Sequence, residues 1–273
     1  MPGLDGATLL GIGALLGVAG GLAGFLGGMI GAGGGLILIP VLYHSFSALG
    51  VDADIRMHLV VGTALATVVP TSILGMRVHW QRGNVDAGIV KRLAPPVLLG
   101  AVLSGAMVGK VHSAGLALAF AAVAAAVSLN MVSSKSLFLR QGLPGPCATG
   151  LMGATIGALS TWVGIGGATL TVPLLHALRT PMPMAIGTAS VLGAVVGLPG
   201  AMAFMVSGWS DVRTPPGSLG YVHVLAAAIV FPASASAMAL GARFTRSVNA
   251  RMLRLLFALL MAATAARMLW SLS

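Results

Sequence analysis

Residues 31–40 read Gly31-Ala32-Gly33-Gly34-Gly35-Leu36-Ile37-Leu38-Ile39-Pro40, and residues 164–173 read Gly164-Ile165-Gly166-Gly167-Ala168-Thr169-Leu170-Thr171-Val172-Pro173. Each glycine cluster ends a long apolar run and opens a short one. Glycine tolerates φ > 0 and leaves its peptide N–H uncovered, so each cluster predicts a broken helix. Pro40 and Pro173 each remove one more backbone donor. The apolar runs that follow, 36–48 and 168–178, fall short of the roughly 20 residues that cross a bilayer. Interrupted backbone inside hydrocarbon is tolerated only where protein or a water-filled cavity surrounds it. A half-helix starting there points its positive N-terminal end into that cavity, a ready anion site without Arg or Lys. Paired interrupted segments in corresponding places are the best sequence pointer to a transport site.

The rest of the chain agrees with a membrane setting. Of 273 residues, 57% are hydrophobic and 7% charged. A soluble domain carries about 25% charged residues, so the apolar side chains here must face lipid. Further apolar runs fall near 7–29, 58–76, 94–109, 113–132, 147–162, 184–206, 220–241 and 252–271. The net charge of +10 sits in short loops between them, as topology-setting charges do, so no nucleic-acid partner is expected. One cysteine, Cys147, excludes an internal disulfide. No Lys or Arg precedes the first run and Asp5 does, so 7–30 reads as a retained transmembrane helix.

The chain also repeats itself. A shift of 133 carries Gly17, Gly20, Gly24, Gly31, Gly33, Gly34 and Pro40 onto Gly150, Gly153, Gly157, Gly164, Gly166, Gly167 and Pro173. A shift of 125 carries Gly62-Thr63-Ala64 onto Gly187-Thr188-Ala189, and Gly75, Gly83 and Asp86 onto Gly200, Gly208 and Asp211. The fold class is therefore an all-α polytopic membrane protein of about 8–10 helical elements. It comprises an N-terminal repeat (1–134), a connector (135–146) and a C-terminal repeat (147–273). Five elements per repeat invert the second. Loop 77–92 carries Arg77, Arg82, Lys91 and Arg92, and loop 242–254 carries Arg243, Arg246, Arg251 and Arg254, while their counterparts are poor in charge. Placing the rich loops in the cytoplasm puts the connector inside and both termini outside.

The candidate substrate-binding residues are Gly31, Gly33, Gly34 and Gly35 at the first break and Gly164, Gly166 and Gly167 at the second. Thr63 and Thr188 coincide by repeat and are the preferred side-chain ligands. Ser160, Thr161 and Trp162 precede the second break and offer O–H and N–H donors. The upstream glycines read as helix-packing positions. Asp86 and Asp211 read as caps or partners of Arg82 and Arg213. His58, His79 and His176 lie near segment ends, where proton coupling can occur. No clustered ligand set marks a metal site, and no Walker-type loop or other cofactor motif is present.

The Gly-x-Gly-Gly-Gly-x-x-x-x-Pro motif at 31–40, its echo at 164–173, Val61-Gly62-Thr63-Ala64, Ile186-Gly187-Thr188-Ala189 and Arg82-Gly83-Asn84-Val85-Asp86 together resemble the TauE/SafE family of membrane transporters. The resemblance covers nearly the whole chain. It implies export of a small anion, sulfite or an organosulfonate, across the cell inner membrane. One departure is Ala168, which stands where the first motif has Gly35. The expected partners are that anion and the lipid bilayer, with a homodimer left open. Two other readings are an anion channel of the same architecture and an intramembrane enzyme. The second needs a nucleophile and base at membrane depth, and no buried carboxylate pair or Gly-x-Ser-x-Gly is present.

Overall fold

A computed structural model describes residues 6–30, 34–132 and 141–244, and Leu259. Nine helices lie among these: α1 (Gly6–Ile30), α2 (Gly35–Ala48), α3 (Ala53–Gln81), α4 (Ala87–Met107), α5 (Ser113–Val132), α6 (Pro146–Val163), α7 (Ala168–Ala177), α8 (Met182–Ser207) and α9 (Val224–Phe244). A one-turn 3₁₀ segment, Val108–Lys110, extends α4. A hairpin of β1 (Ser218–Leu219) and β2 (Val222–His223) precedes α9. The charged connector around Lys135 and Arg140, the Arg246–Arg254 loop and the run 252–271 lie outside the described residues, apart from Leu259.

Four helical stretches, in α1, α3, α4 with its 3₁₀ extension, and α8, are long and apolar enough to cross a membrane. Their outer faces carry Leu10, Val18, Leu98, Leu99, Leu103 and Met202, all exposed, as lipid contact requires. Local chemistry sets their ends. Asp52 caps α3 by accepting the Asp54 N–H, and Asp86 caps α4 by accepting the Ile89 N–H at 3.0 Å. Pro146 starts α6 at a position where no backbone donor is missed.

The core is three helix pairs: α1 on α9, α4 on α6, and α3 on α8. Glycine brings the backbones together. Gly24 of α1 lies against the backbone of Ser234 on α9, and Gly157 of α6 lies against the backbone of Val97 on α4. In both places a Cβ would overlap a carbonyl. Gly20 and Gly24 therefore pack α1 on α9, whereas Gly27 and Gly28 face a cavity described below, which Gly24 also borders, and Gly31 lies outside the described residues. The α3–α8 pair is antiparallel along its length. Gly62 abuts Phe204, Gly200 abuts Leu65, Gly193 abuts Ser72, Gly75 abuts Ser190 and Gly187 abuts His79.

The starts of α4 (Ala87) and α9 (Val224) lie 137 residues apart, against the 125 that separate Gly62 from Gly187, and the hairpin lies within that longer interval. His223, and not Asp211, makes at the start of α9 the contacts that Asp86 makes at the start of α4. Asp86 caps Ile89 and His223 Nδ1 caps Ala226, accepting its N–H at 3.1 Å. Burial holds the His223 imidazole below its ordinary value, which keeps the ring neutral and Nδ1 free to accept.

Candidate functional site

The start of α2 meets the turn between α6 and α7. A Cβ on Gly35 would lie 2.7 Å from the Gly164 carbonyl oxygen and 3.0 Å from Ile165 Cα, so the first turn of α2 crosses directly over the α6–α7 turn. That turn is built on left-handed backbone. Gly164 closes α6 at φ +75°, its N–H donating to the Ser160 carbonyl at 2.9 Å. Gly166 and Gly167 follow at φ +55° and +31°. A side chain at Gly166 would strike Val68, so both conformation and space require glycine there. The N-terminal ends of α2 and α7 thus lie in one region, where the Ile37 N–H donates to the Gly34 carbonyl at 3.2 Å and the Ala168 N–H to the Gly166 carbonyl.

A cavity of about 120 Å³ opens beside this crossing. Gly34, the N-cap of α2, and Ala168, the first residue of α7, both line it. Its polar side chains are Thr71, Ser72 and His79 of α3, Ser190 of α8 and Ser234 of α9. Thr71 donates to the carbonyls of Thr67 and Val68, and Ser190 to that of Ile186. Ser72 and Ser234 make no side-chain hydrogen bond among the described residues, although Ser234 is only 8% exposed. His79 Nδ1 is buried and without a partner. A second, more open depression of about 380 Å³, lined by Arg92, Leu178 and Arg179 among others, lies at the far end of α7 from the break.

The sequence-predicted residues divide into three groups. Gly34, Gly35, Gly164, Gly166 and Gly167 are brought together at the crossing, whereas Gly31 and Gly33 lie outside the described residues. Thr63 and Thr188 are fully buried and serve a matched tertiary contact. Thr63 accepts the His223 N–H at 2.9 Å and Thr188 accepts the Asp86 N–H at 3.0 Å, so each ties a long helix to the start of α9 or α4. Neither lines the cavity. Thr161 donates back to the Gly157 carbonyl, and Trp162 Nε1–H donates to the Ser104 carbonyl at 3.0 Å. Ser160 is different: it is fully buried at the second break and its hydroxyl has no partner. Thr169, in the first turn of α7, is in the same condition.

Ser72 and Ser234, missed in sequence, sit on apolar helices with nothing local to mark their face. The usable signal is repeat mismatch: the matched positions are Gly197 and Val97. Of the histidines, His58 is held by the Val108 and Val111 carbonyls at 3.2 and 2.9 Å, and His79 alone reaches the cavity.

Beyond the helix ends, Asp211 pairs with Arg213 at 2.8 Å and accepts the Tyr221 O–H. Arg213 holds the Asp211 carboxyl well below the usual carboxylate range, and burial, with Asp211 second, pushes the Tyr221 phenol up to about 12. This cluster staples the hairpin to the end of α8.

The family model of the sulfite exporter TauE/SafE matches residues 16–268. The chain belongs to the TauE/SafE family. A relative from Haemophilus influenzae, named a probable membrane transporter protein, is 32% identical over 235 residues, which is 85% of this chain and 89% of that protein. No solved structure matches the chain significantly. Family membership and the apolar helices together make this a multi-pass membrane transporter.

Proposed function

We propose that the protein is a secondary transporter that exports a small anion, sulfite or an organosulfonate, across the cell inner membrane by alternating access. The observation that carries this is the crossing of Gly35 over Gly164–Ile165, which aims two helix N-termini at one polar cavity. The positive ends of the two helices favour negative charge there without a cationic side chain. The sulfur chemistry is taken from the family.

Two inverted repeats, 1–134 and 147–273, joined by the cytoplasmic connector 135–146, would move against each other around this point. The matched glycine contacts of Gly24 with Ser234 and Gly157 with Val97 support the duplication. The antiparallel run of α3 on α8, whose contacts interchange at a shift of 125, supports the inversion. In that arrangement both termini face away from the cytoplasm.

Counterflow in proteoliposomes tests the function. Internal sulfite or a short sulfonate is expected to drive saturable uptake of labelled substrate. Absence of exchange for every sulfur oxyanion tried removes the substrate assignment. Currents far above carrier turnover would replace the carrier by a channel.

A further inference from the structure

Resting on the transport function proposed above, we infer that the cavity between α1, α3, α8 and α9 is a one-sided binding site for a small oxyanion with a single negative charge, held by Ser72, Ser234 and His79 together with the N-termini of α2 and α7.

Charge sets the valence. Among the described lining residues there is no Lys, Arg, Asp or Glu, and His79 is the one titratable group. What remains is the positive end of two helices, each equivalent to about half an elementary charge. Their sum, about one unit, matches a monoanion. A dianion would keep roughly one charge uncompensated in a site walled by Ala23, Val78, Ile186 and Met238, where an unpaired charge is costly.

Donors and size narrow the ligand further. Ser234 is nine-tenths buried, lines the cavity and makes no hydrogen bond, and Ser72 is also unbonded among the described residues. Both hydroxyls are open to the cavity, and a bound oxyanion accepts from both. His79 Nδ1, buried and unpartnered, is a third group able to donate when it carries its proton. The volume of about 120 Å³ holds roughly four waters at ~30 Å³ each in the liquid, enough for a sulfur centre with its oxygens and one small substituent. Drug-sized ligands occupy sites of about 300–1,000 Å³.

At the positions that the sequence shifts match to this lining, Val97, Val196, Phe204 and Leu65 are apolar and fully buried. The polar set therefore belongs to one side only.

The test compares methanesulfonate, permanently monovalent near neutral pH, with sulfate, which is divalent, on the full-length purified protein at equal ionic strength. Thermal shift and isothermal titration provide the readouts. Methanesulfonate is expected to bind and stabilise, with sulfate at least tenfold weaker. Ser72→Ala and Ser234→Ala, both small changes at an open cavity, are each expected to weaken methanesulfonate by about tenfold with unchanged melting of the ligand-free protein. Sulfite, which gains a proton near neutrality, should bind more tightly as pH falls, while methanesulfonate should not follow the same curve. Sulfate binding as tightly as methanesulfonate would overturn the valence assignment. Unchanged methanesulfonate affinity in the double serine variant would overturn the site. Neither anion binding, in protein that still exchanges another anion in liposomes, would overturn this inference and leave transport standing. Absence of exchange for every anion would remove the transport function itself.

Discussion

On one side of the α3–α8 contact, Thr71, Ser72, His79, Ser190 and Ser234 surround open space. On the other, the residues at matched positions are Val196, Gly197, Phe204, Leu65 and Val97, all buried. The backbone scaffold is shared: Gly24 seats α1 on α9 as Gly157 seats α6 on α4. Chemistry alone divides the two regions. In the proposed alternating-access carrier, which needs one side wetted and the other closed, the apolar set would supply the closed side. Inside that set, where the open side has Gly28 and Gly27, stand Thr161, which donates back to Gly157, and Ser160, fully buried with its hydroxyl unpaired. A hydroxyl stranded in a closed region is satisfied once that region opens to solvent or substrate, which favours motion there over a static wall.

The largest expected effect comes from breaking the closed side. Phe204 is fully buried against Gly62 of α3 and stacks near His58. Phe204→Ala is expected to cost about 3–5 kcal/mol of stability. Its match on the open side, His79→Ala, removes a ring that already borders a cavity and should cost under about 1 kcal/mol, the range of changes without a packing partner. Chemical unfolding of the two variants in detergent measures the gap. Equal losses would mean that the cavity is not open in the working protein.

The scaffold itself is tested by adding one methyl on each side. Gly24→Ala and Gly157→Ala would each push a Cβ into a facing carbonyl, and each is expected to cost about 1–3 kcal/mol. Similar losses would support equivalent halves; a large loss in one alone would break the equivalence on which the proposed duplication rests. The same measurement sharpens the reading of Thr63 and Thr188. Thr63→Val and Thr188→Val each strand one backbone N–H, of His223 or Asp86, at about 1–3 kcal/mol. Anion affinity measured in the same preparations should stay near wild type, since neither threonine lines the cavity.

These two threonines also show what was legible in the sequence. The short runs behind the glycine clusters are α2 and α7, and the long apolar runs among the described residues are helices, because hydropathy and glycine chemistry act locally. Thr63 and Thr188 were singled out because they match. Matched polarity marks a job both halves share, here the anchoring of a neighbouring helix. The polar side chains of the cavity are those that do not match: Ser72 against Gly197, Ser190 against Leu65, Ser234 against Val97. Which face of an apolar helix a serine takes is set by tertiary packing, which no short-range pattern encodes. The hairpin before α9 was hidden for a related reason. Its strands are two residues each and are held by the Asp211–Arg213–Tyr221 cluster, so they leave no alternation to read. Pairing Asp86 with Asp211 by one constant shift followed from that omission.

The smallest effect concerns the two caps, where the halves use different chemistry for one task. Asp86 holds the start of α4 and His223 the start of α9, through hydrogen bonds to Ile89 and Ala226. Burial lowers the His223 value below its ordinary 6.5. The folded protein therefore binds fewer protons at this ring than the unfolded chain does, and stability rises with pH across the interval between the two values. As pH falls from 7 through about 6.5, the unfolded chain takes up the proton first and the folded state loses ground, until the folded ring also protonates and Nδ1 can no longer accept from Ala226. His223→Asn places a side chain that caps about as well as Asp and does not titrate. Melting temperatures of both proteins between pH 7.5 and 5 should diverge on the acid side, with the wild type falling further. Every other side chain is the same in the two proteins, so its contribution cancels in the difference. Parallel curves would show that His223 binds its proton equally well in the folded and unfolded chain, and would leave Asp86 and His223 without a common role.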